Sequence, residues 1–383
     1  MLKYDGGEDM RDKMKLDFYD AFQCITDRCS ITCCQEWKIE IDDNTDKKWN
    51  SLSLQEDGKK TLRKYVGSKD GSRVINLNSE NKCPFLNKEK LCKLVLELGE
   101  DTLSKTCTIF PREIHEFDNR TEYSLVSCCP EVIDMLNNQE KIGFKMGEEF
   151  HCEDTLYQIR QLLISIIQKT EYSLSESLMI GYYILQELYE GKSLNWQPYQ
   201  DDATVKALLN AINQMEFSLI NTFYERNELF LDLAENYRRE QLYVSYLDDI
   251  SSLAEELEDG VDEEELVSEL MEFMQQLKQY EQLFRNYLAA ELFTNCLIPD
   301  SDFESMVMMY QWITMEYVTM KHGLYLRWKT DGKSELRYTT VRDYIVIISR
   351  MTGYDQEDIE EYFENCFESV IWDWGYLALL TGK

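Results

Sequence analysis

The sequence predicts a mainly α-helical fold: an irregular cysteine-rich metal-binding module with short strands, packed on an α-helical C-terminal domain. Three observations predict it. Only 5 prolines and 16 glycines occur in 383 residues, which favours long regular elements over loops. Nine of the 12 cysteines precede residue 130, a clustering that asks for a local chemical reason. After residue 153 the apolar residues fall at helical spacing. Hydrophobic residues make up 44% of the chain and aromatics 12%, so it is globular, and its length suits two domains, residues 1–152 and 153–383.

The opening stretch, MLKYDGGEDMRDKMKL, has no apolar h-region, so no signal peptide is expected. No run of roughly 18 apolar residues exists, so no membrane span is expected either. A cytoplasmic location follows. The first cysteine group, FQCITDRCSITCCQEWKIEID, occupies residues 22–42. Its Trp37, Ile39 and Ile41 alternate with polar residues, the pattern of a short strand. Residues 43–82 are polar, with turn signals at Asp57-Gly58 and Asp70-Gly71. The second cysteine group runs from Lys82 to Glu131.

Helices follow. Leu156, Ile159, Leu163 and Ile166 keep one face apolar. Ser173 and Glu176 form a capping box, Leu178, Tyr182, Leu185 and Leu188 continue the stripe, and Gly191 is the expected C-cap. Two more helices are expected over residues 203–257, a break at Gly260, and one helix over about 263–295, ended by Pro299. Ser301 and Glu304 suggest another capping box, before a helix rich in Met and Tyr, and two last helices flank Gly353. Met308, Met309, Met315 and Met320 read as helical core, although methionines also line ligand pockets. His322 has no cysteine or histidine at ligand spacing and reads as structural.

The net charge is −32, and it is uneven: residues 153–383 carry 43 acidic and 17 basic groups, against 29 and 23 before them. Nucleic-acid binding needs a basic face for the phosphates, so that class is excluded. An acidic field attracts a lysine-bearing partner, or serves only as a self-repelling solvated surface.

Cys24, Cys29, Cys33, Cys34, Cys83, Cys92, Cys107, Cys128 and Cys129 form the cluster, spaced C-x4-C-x3-C-C and then C-x8-C-x14-C-x20-C-C. A reducing compartment argues against structural disulfides. Thiolates are soft ligands that select zinc, iron–sulfur clusters or copper(I). An all-thiolate zinc site and a [4Fe–4S] cluster each take four cysteines, so nine candidates supply two sites, or one site and spare thiols. Adjacent cysteines point in different directions, so each pair touches two centres or has one member that merely packs. The pairs Cys83-Pro84 and Cys129-Pro130 stiffen the chain beside the sulfur. Arg112, after Phe110-Pro111, is a candidate to balance thiolate charge, and otherwise an ordinary surface arginine.

These segments resemble the flagellin lysine-N-methylase family (FliB), whose N-terminal part is similar to cysteine-rich putative zinc- or iron-chelating domains. The resemblance rests on F-x-C-x4-C-x3-C-C-x2-W-x-I-x-I-D at residues 22–42, Cys-Pro-Phe-Leu with Leu-Cys at 83–92, Cys107 with Phe-Pro-Arg at 110–112, and Cys-Pro-Glu at 129–131. Glu36 stands where family members often have glycine, and Cys128 adds a cysteine beside the expected Cys129. The metal set so marked is Cys24, Cys29, Cys33, Cys34, Cys83, Cys92, Cys107 and Cys129, with Cys128 as the rival for the last place. YEQLFRNYLAAELF at 280–293 adds a weaker likeness.

The resemblance implies methyl transfer to lysines of flagellin, with a [4Fe–4S] cluster (zinc as the alternative metal) and S-adenosylmethionine. The residues themselves do not spell out that chemistry. No glycine-rich G-x-G-x-x-G turn is present, which argues against a Rossmann-type methyltransferase. The C-x3-C-x2-C pattern of radical S-adenosylmethionine enzymes is absent; Cys29-x3-Cys33-Cys34 comes nearest. Lysine methylation needs a neutral amine, hence desolvation or a neighbouring base. Among 72 acidic residues and 24 tyrosines no catalytic residue stands out. His115, the one histidine between residues 20 and 131, is a candidate ligand or acid–base group beside its plain structural reading. A metal or cluster carrier, and an acidic helical interaction protein with structural zinc, remain as alternatives to the methylase.

Overall fold

The computed structural model describes residues 12–69, 71–146, 152–367 and 369–382. The reading of the first eleven residues, and the Asp70 half of the Asp70-Gly71 turn, lie outside the described residues. The architecture is mainly helical with a few short strands, as the periodicity predicts.

The N-terminal region is assembled from short pieces. Strands β1 (Asp12–Leu16), β2 (Val66–Lys69), β3 (Ser72–Ile75), β4 (Arg112–Glu116), β5 (Arg120–Leu125) and β6 (Phe144–Lys145) form two small sheets. One has the order β4-β5-β1-β6, with β1 parallel to β5 (Asp12 opposite Arg120) and antiparallel to β6. The other is the β2–β3 hairpin. Helices α1 (Asp43–Trp49), α2 (Lys93–Leu98), α3 (Lys105–Ile109) and α4 (Pro130–Asn137) interrupt the loops. Asp42 caps α1 by accepting from the Asn44 and Thr45 N–H groups. A small core of Ile39, Ile41, Trp49, Leu54, Leu62, Ile75, Phe85 and Leu94 sits beneath them.

The strand expected at Trp37–Ile41 contracts to one bridge, Glu40 to Val74, flanked by hydrogen bonds from Ile41 to Arg73 and from Ile75 to Ile39. Pairing stops there because Asp42 turns the chain into α1. The four-stranded sheet has no counterpart in the sequence reading. Its central strand β5 buries Arg120 and Glu122, so its residues do not alternate apolar with polar.

The remainder comprises α5 (Thr155–Ile167), α6 (Leu174–Glu190), α7 (Asp202–Ile212), α8 (Leu219–Arg239), α9 (Val244–Glu258), α10 (Glu263–Leu277), α11 (Glu281–Asn295), α12 (Phe303–Thr330), α13 (Tyr338–Thr352), α14 (Gln356–Cys366) and α15 (Trp374–Thr381). Ser173 and Glu176 form the capping box of α6, and Gly191 is its C-cap. Gly260, at φ 129°, separates α9 from α10, and Gly353, at φ 62°, separates α13 from α14.

Four boundaries differ from the sequence reading. Residues 203–257 hold three helices, because Gln241 and Tyr243 take left-handed conformations between α8 and α9. The single helix expected over 263–295 is broken by a 3-10 turn at Lys278–Tyr280. Asp302, not Ser301, caps α12, accepting from the Ser305 N–H. A further helix, α15, follows α14.

Helix α12 is buried on nearly every side, as a helix without a polar face must be, and Met308, Met309, Met315 and Met320 are packed core. Gly181 lets α6 approach it: a Cβ there would collide with the Tyr310 hydroxyl. Among the described residues, no helix is long and apolar enough to cross a membrane.

The large core does not stop near residue 152. It includes Met14 and Leu16 of β1 and Val132, Ile133 and Leu136 of α4. Polar ties reinforce this seam. Arg160 of α5 grips Glu122 with two hydrogen bonds, at 2.7 and 2.8 Å, and Arg120 adds a third at 2.5 Å. Burial pushes the Glu122 carboxyl up, but Arg160 and Arg120 outweigh it and hold the carboxyl below its usual range. Asn286 of α11 donates to the carbonyls of Leu136 and Gln139 at the end of α4.

Candidate metal centre

Turns and short helix starts carry the cysteines to one place. Cys24 follows Phe22, and a 3-10 turn at Thr26–Arg28 delivers Cys29, whose thiol donates to the Ile31 carbonyl at 3.3 Å. Cys33 and Cys34 come next, the Cys34 N–H donating to the Thr32 hydroxyl. A bridge between Gln35 and Lys82, and a 2.7 Å hydrogen bond from the Cys83 N–H to the Cys34 carbonyl, set Cys83 beside Cys34. The chain then reverses through Asn87, whose side chain accepts from the Leu91 N–H, and a Leu86–Cys92 bridge closes the loop. Cys92 is the N-cap of α2 and Cys129 the N-cap of α4. Cys107 lies in the first turn of α3, its N–H donating to the Ser104 hydroxyl. Cys92 and Cys129 thus sit where first-turn backbone N–H groups face the sulfur.

Cys24, Cys29, Cys33, Cys34, Cys83, Cys92, Cys107 and Cys129 all line one cavity of about 480 Å³. These are the eight positions that the sequence marks. Cys128 is not on that wall. It is fully buried, and Glu291 and Glu316 act on its thiol, as does Arg350. The placement separates Cys129 from its neighbour, a choice that the sequence leaves open. Among the described residues, no three His, Cys, Asp or Glu side chains converge as ligands of a single ion. His115 stands on β4, 3.6 Å from Glu113, and does not line the cavity. Cys152 and Cys296 are buried elsewhere, and Cys366 is exposed.

Burial dominates the electrostatics of the thiols. It pushes Cys83 well up, Cys129 to about 12 and Cys107 to about 11, and raises Cys29 and Cys92. N–H groups oppose it: those of Phe85 at Cys83, of Leu94 and Val95 at Cys92, and of Glu131 and Val132 at Cys129. Cys33 and Cys34 share a hydrogen bond that lowers Cys34 to about 7 and raises Cys33.

Two arginines reach the same wall. Arg112, singled out in the Phe-Pro-Arg segment, lines the cavity with its guanidinium 5.1 Å from the Phe22 ring centre. Arg350 is absent from the sequence reading. It projects from α13, donates to the carbonyls of Ile31, Thr32 and Cys128 at 2.9–3.2 Å, and stacks 5.3 Å from the centre of Trp37. Its one sequence signal is a lone charge in the mostly apolar run at 344–351. A buried cation here favours anionic sulfur on the opposite wall.

Comparison with known proteins identifies relatives of the chain. The model of the FliB lysine N-methylase C-terminal domain matches residues 160–380. The chain is 31% identical over 152 residues to a flagellar biosynthetic protein FliU of Salmonella muenchen, covering 34% of this chain and 80% of that protein. It is 30% identical over 141 residues to lysine-N-methylases of Salmonella typhimurium and Salmonella choleraesuis, covering 32% of this chain and 31% of each of those proteins. The chain thus matches about a third of the length of those two methylases. No solved structure matches it.

Proposed function

Because the chain belongs to the FliB lysine N-methylase family, we propose that it methylates lysine side chains of a flagellar protein, flagellin in the narrowest form of the reading. S-adenosylmethionine is the methyl donor in this reading, and the cysteine cavity holds a [4Fe–4S] cluster. The observation that carries it is the meeting of eight cysteines and Arg350 in one cavity, with Arg350 supplied by the family-matched helical region.

The donor set suits the group. Thiolates are the ligands that iron–sulfur clusters take, and N–H groups facing the sulfurs tune such clusters. A single zinc draws four sulfurs to about 2.3 Å from one point. Eight thiols around about 480 Å³ leave space for a larger centre. When bound, a cluster supplies a one-electron redox centre. The chain's own residues do the rest. Arg112 and Arg350 offset thiolate charge, while Phe22, Trp37 and Phe110 make part of the wall apolar.

A lysine-bearing substrate meets a favourable field. An open cleft of about 1370 Å³ is lined by Glu190, Glu225, Glu228, Asp232, Glu235 and Asp373 among other carboxylates, with Tyr362, Trp372 and Tyr376 between them. Carboxylates and aromatic faces together suit an ammonium. The test is anaerobic incubation with flagellin and isotope-labelled S-adenosylmethionine, followed by mass spectrometry of the lysines. Label on lysine is the expected result. Unlabelled flagellin, from protein with its metal bound, overturns the reading.

A further inference from the structure

The cavity cysteines do not rest on one support. Cys83 belongs to the small N-terminal core, and Cys34, Cys92 and Cys107 pack against that same core. Cys129 belongs to the large helical core, together with Phe22 and Ile31, the residues that flank Cys24 and Cys29. Backbone bonding repeats the division. Cys34 and Cys83 are tied directly, and Cys92 is tied through its bridge to Leu86, whose N–H donates to the Cys83 carbonyl. On the other side, Cys29 is tied to Ile31 through its thiol. Thiol proximity follows suit: Cys34 acts on Cys83, Cys92 and Cys107, while Cys29 is acted on by Cys24 and acts on Cys129. Cys33 belongs to neither core; it is hydrogen-bonded to Cys34, faces Arg350 and is acted on by Cys107 as well. Seven thiols thus fall into four and three. Cys33, beside Cys34 and Cys107, is left over, and because a four-thiolate centre is already complete with Cys34, Cys83, Cys92 and Cys107, it falls to the three.

We propose that the cavity holds two separate four-cysteine centres, one on Cys34, Cys83, Cys92 and Cys107 and one on Cys24, Cys29, Cys33 and Cys129. This rests on reading the module as a metal site, but not on which metal fills it. A tetrahedral all-thiolate zinc site and a [4Fe–4S] cluster both take four thiolates, so eight thiols complete two centres of either kind with none left over. The first centre is held wholly by the N-terminal module. The second joins the module to the helical core through Cys129, with Arg350 of α13 donating to the Ile31 and Thr32 carbonyls beside it. Cys128 belongs to neither.

The test is the metal content of the full-length chain, purified without oxygen and assayed for iron, acid-labile sulfide and zinc. It compares the unaltered protein with the pairs Cys83→Ser/Cys107→Ser and Cys29→Ser/Cys129→Ser, and with Cys128→Ser as control. About eight irons and eight sulfides per chain are expected, with each pair keeping about half and the control keeping all. Two zinc ions per chain, one lost with each pair, would uphold the division and overturn the iron–sulfur reading above. Loss of all metal in both pairs, from a parent that holds one centre, would overturn the division and leave that reading standing. A parent with no metal overturns both. Should a pair fail to fold, as judged by circular dichroism, the parent decides. Electron paramagnetic resonance of the fully reduced iron-loaded chain shows two coupled spins if the division holds and one isolated spin if it does not; for a zinc-loaded chain, two equivalents against one on chelator titration decide likewise.

Discussion

The two regions of this molecule reach order by different routes. The helical region is long elements on a large core: α12 alone runs 28 residues and is buried on nearly every side. In the cysteine region, α1, α2 and α3 have seven, six and five residues, and its own core is small. Helices that short do not persist by themselves, because nucleation costs more than a few hydrogen bonds return. What fixes them is whatever fixes their ends, and Cys92 and Cys107 sit at two of those ends. Hydrophobic burial therefore sustains one region, and in the proposed reading ligand bonds help to sustain the other. On that reading metal binding and folding are one equilibrium in the cysteine region and separate in the helical region.

Stripping the metal breaks the comparison most severely. With a strong chelator, amide exchange should rise steeply across residues 24–109 and stay slow in α11 and α12, as hydrogen-exchange mass spectrometry would register. Equal loosening of both regions would mean that they share one support.

Next in size is the seam. Glu122→Ala removes the carboxylate that buried Arg120 and Arg160 share, leaving Arg120 only the carboxylate of Asp154, and should cost about 3–5 kcal/mol in a denaturant titration. A cost near zero would mean that the two regions do not lean on each other through this triad.

The effect that is smallest near neutral pH belongs to the helical region alone. His322 is buried, its Nε2 2.9 Å from the Asn227 side-chain oxygen. Burial, helped by Arg226, pulls its pKa down to about 3. The unfolded value is near 6.5, so between those two pH values only the unfolded chain takes the proton. The contribution of His322 to stability should be complete above pH 6.5 and fall towards pH 3, with a limiting slope of about 1.4 kcal/mol per pH unit. His322→Gln should flatten that slope in pH-dependent unfolding. An unchanged slope would place its origin in other groups.

Much of the helical region is legible because its signals are local. The Ser173–Glu176 box, the apolar stripes of α5 and α6 and the breaks at Gly260 and Gly353 each depend on residues within one or two turns. Three features mislead. The Tyr280 turn carries neither proline nor glycine, so nothing local announces the break between α10 and α11. Left-handed Gln241 and Tyr243 use residue types that seldom adopt that conformation. Strand β5 hides behind buried charges whose partners, Arg160 above all, lie on another element.

By itself, the sequence determined the helical character of residues after 153, several helix caps and breaks, and which cysteines are candidates for the chemistry. Helical periodicity and caps act over three or four residues, and a spacing such as C-x4-C-x3-C-C survives any folding of the rest. Only the tertiary structure decided how those cysteines divide, that Cys129 and not Cys128 faces the cavity, and that Arg350 arrives from more than two hundred residues away. Closing loops of that length is settled by packing of α13 against the module, and no local pattern encodes where two distant surfaces meet.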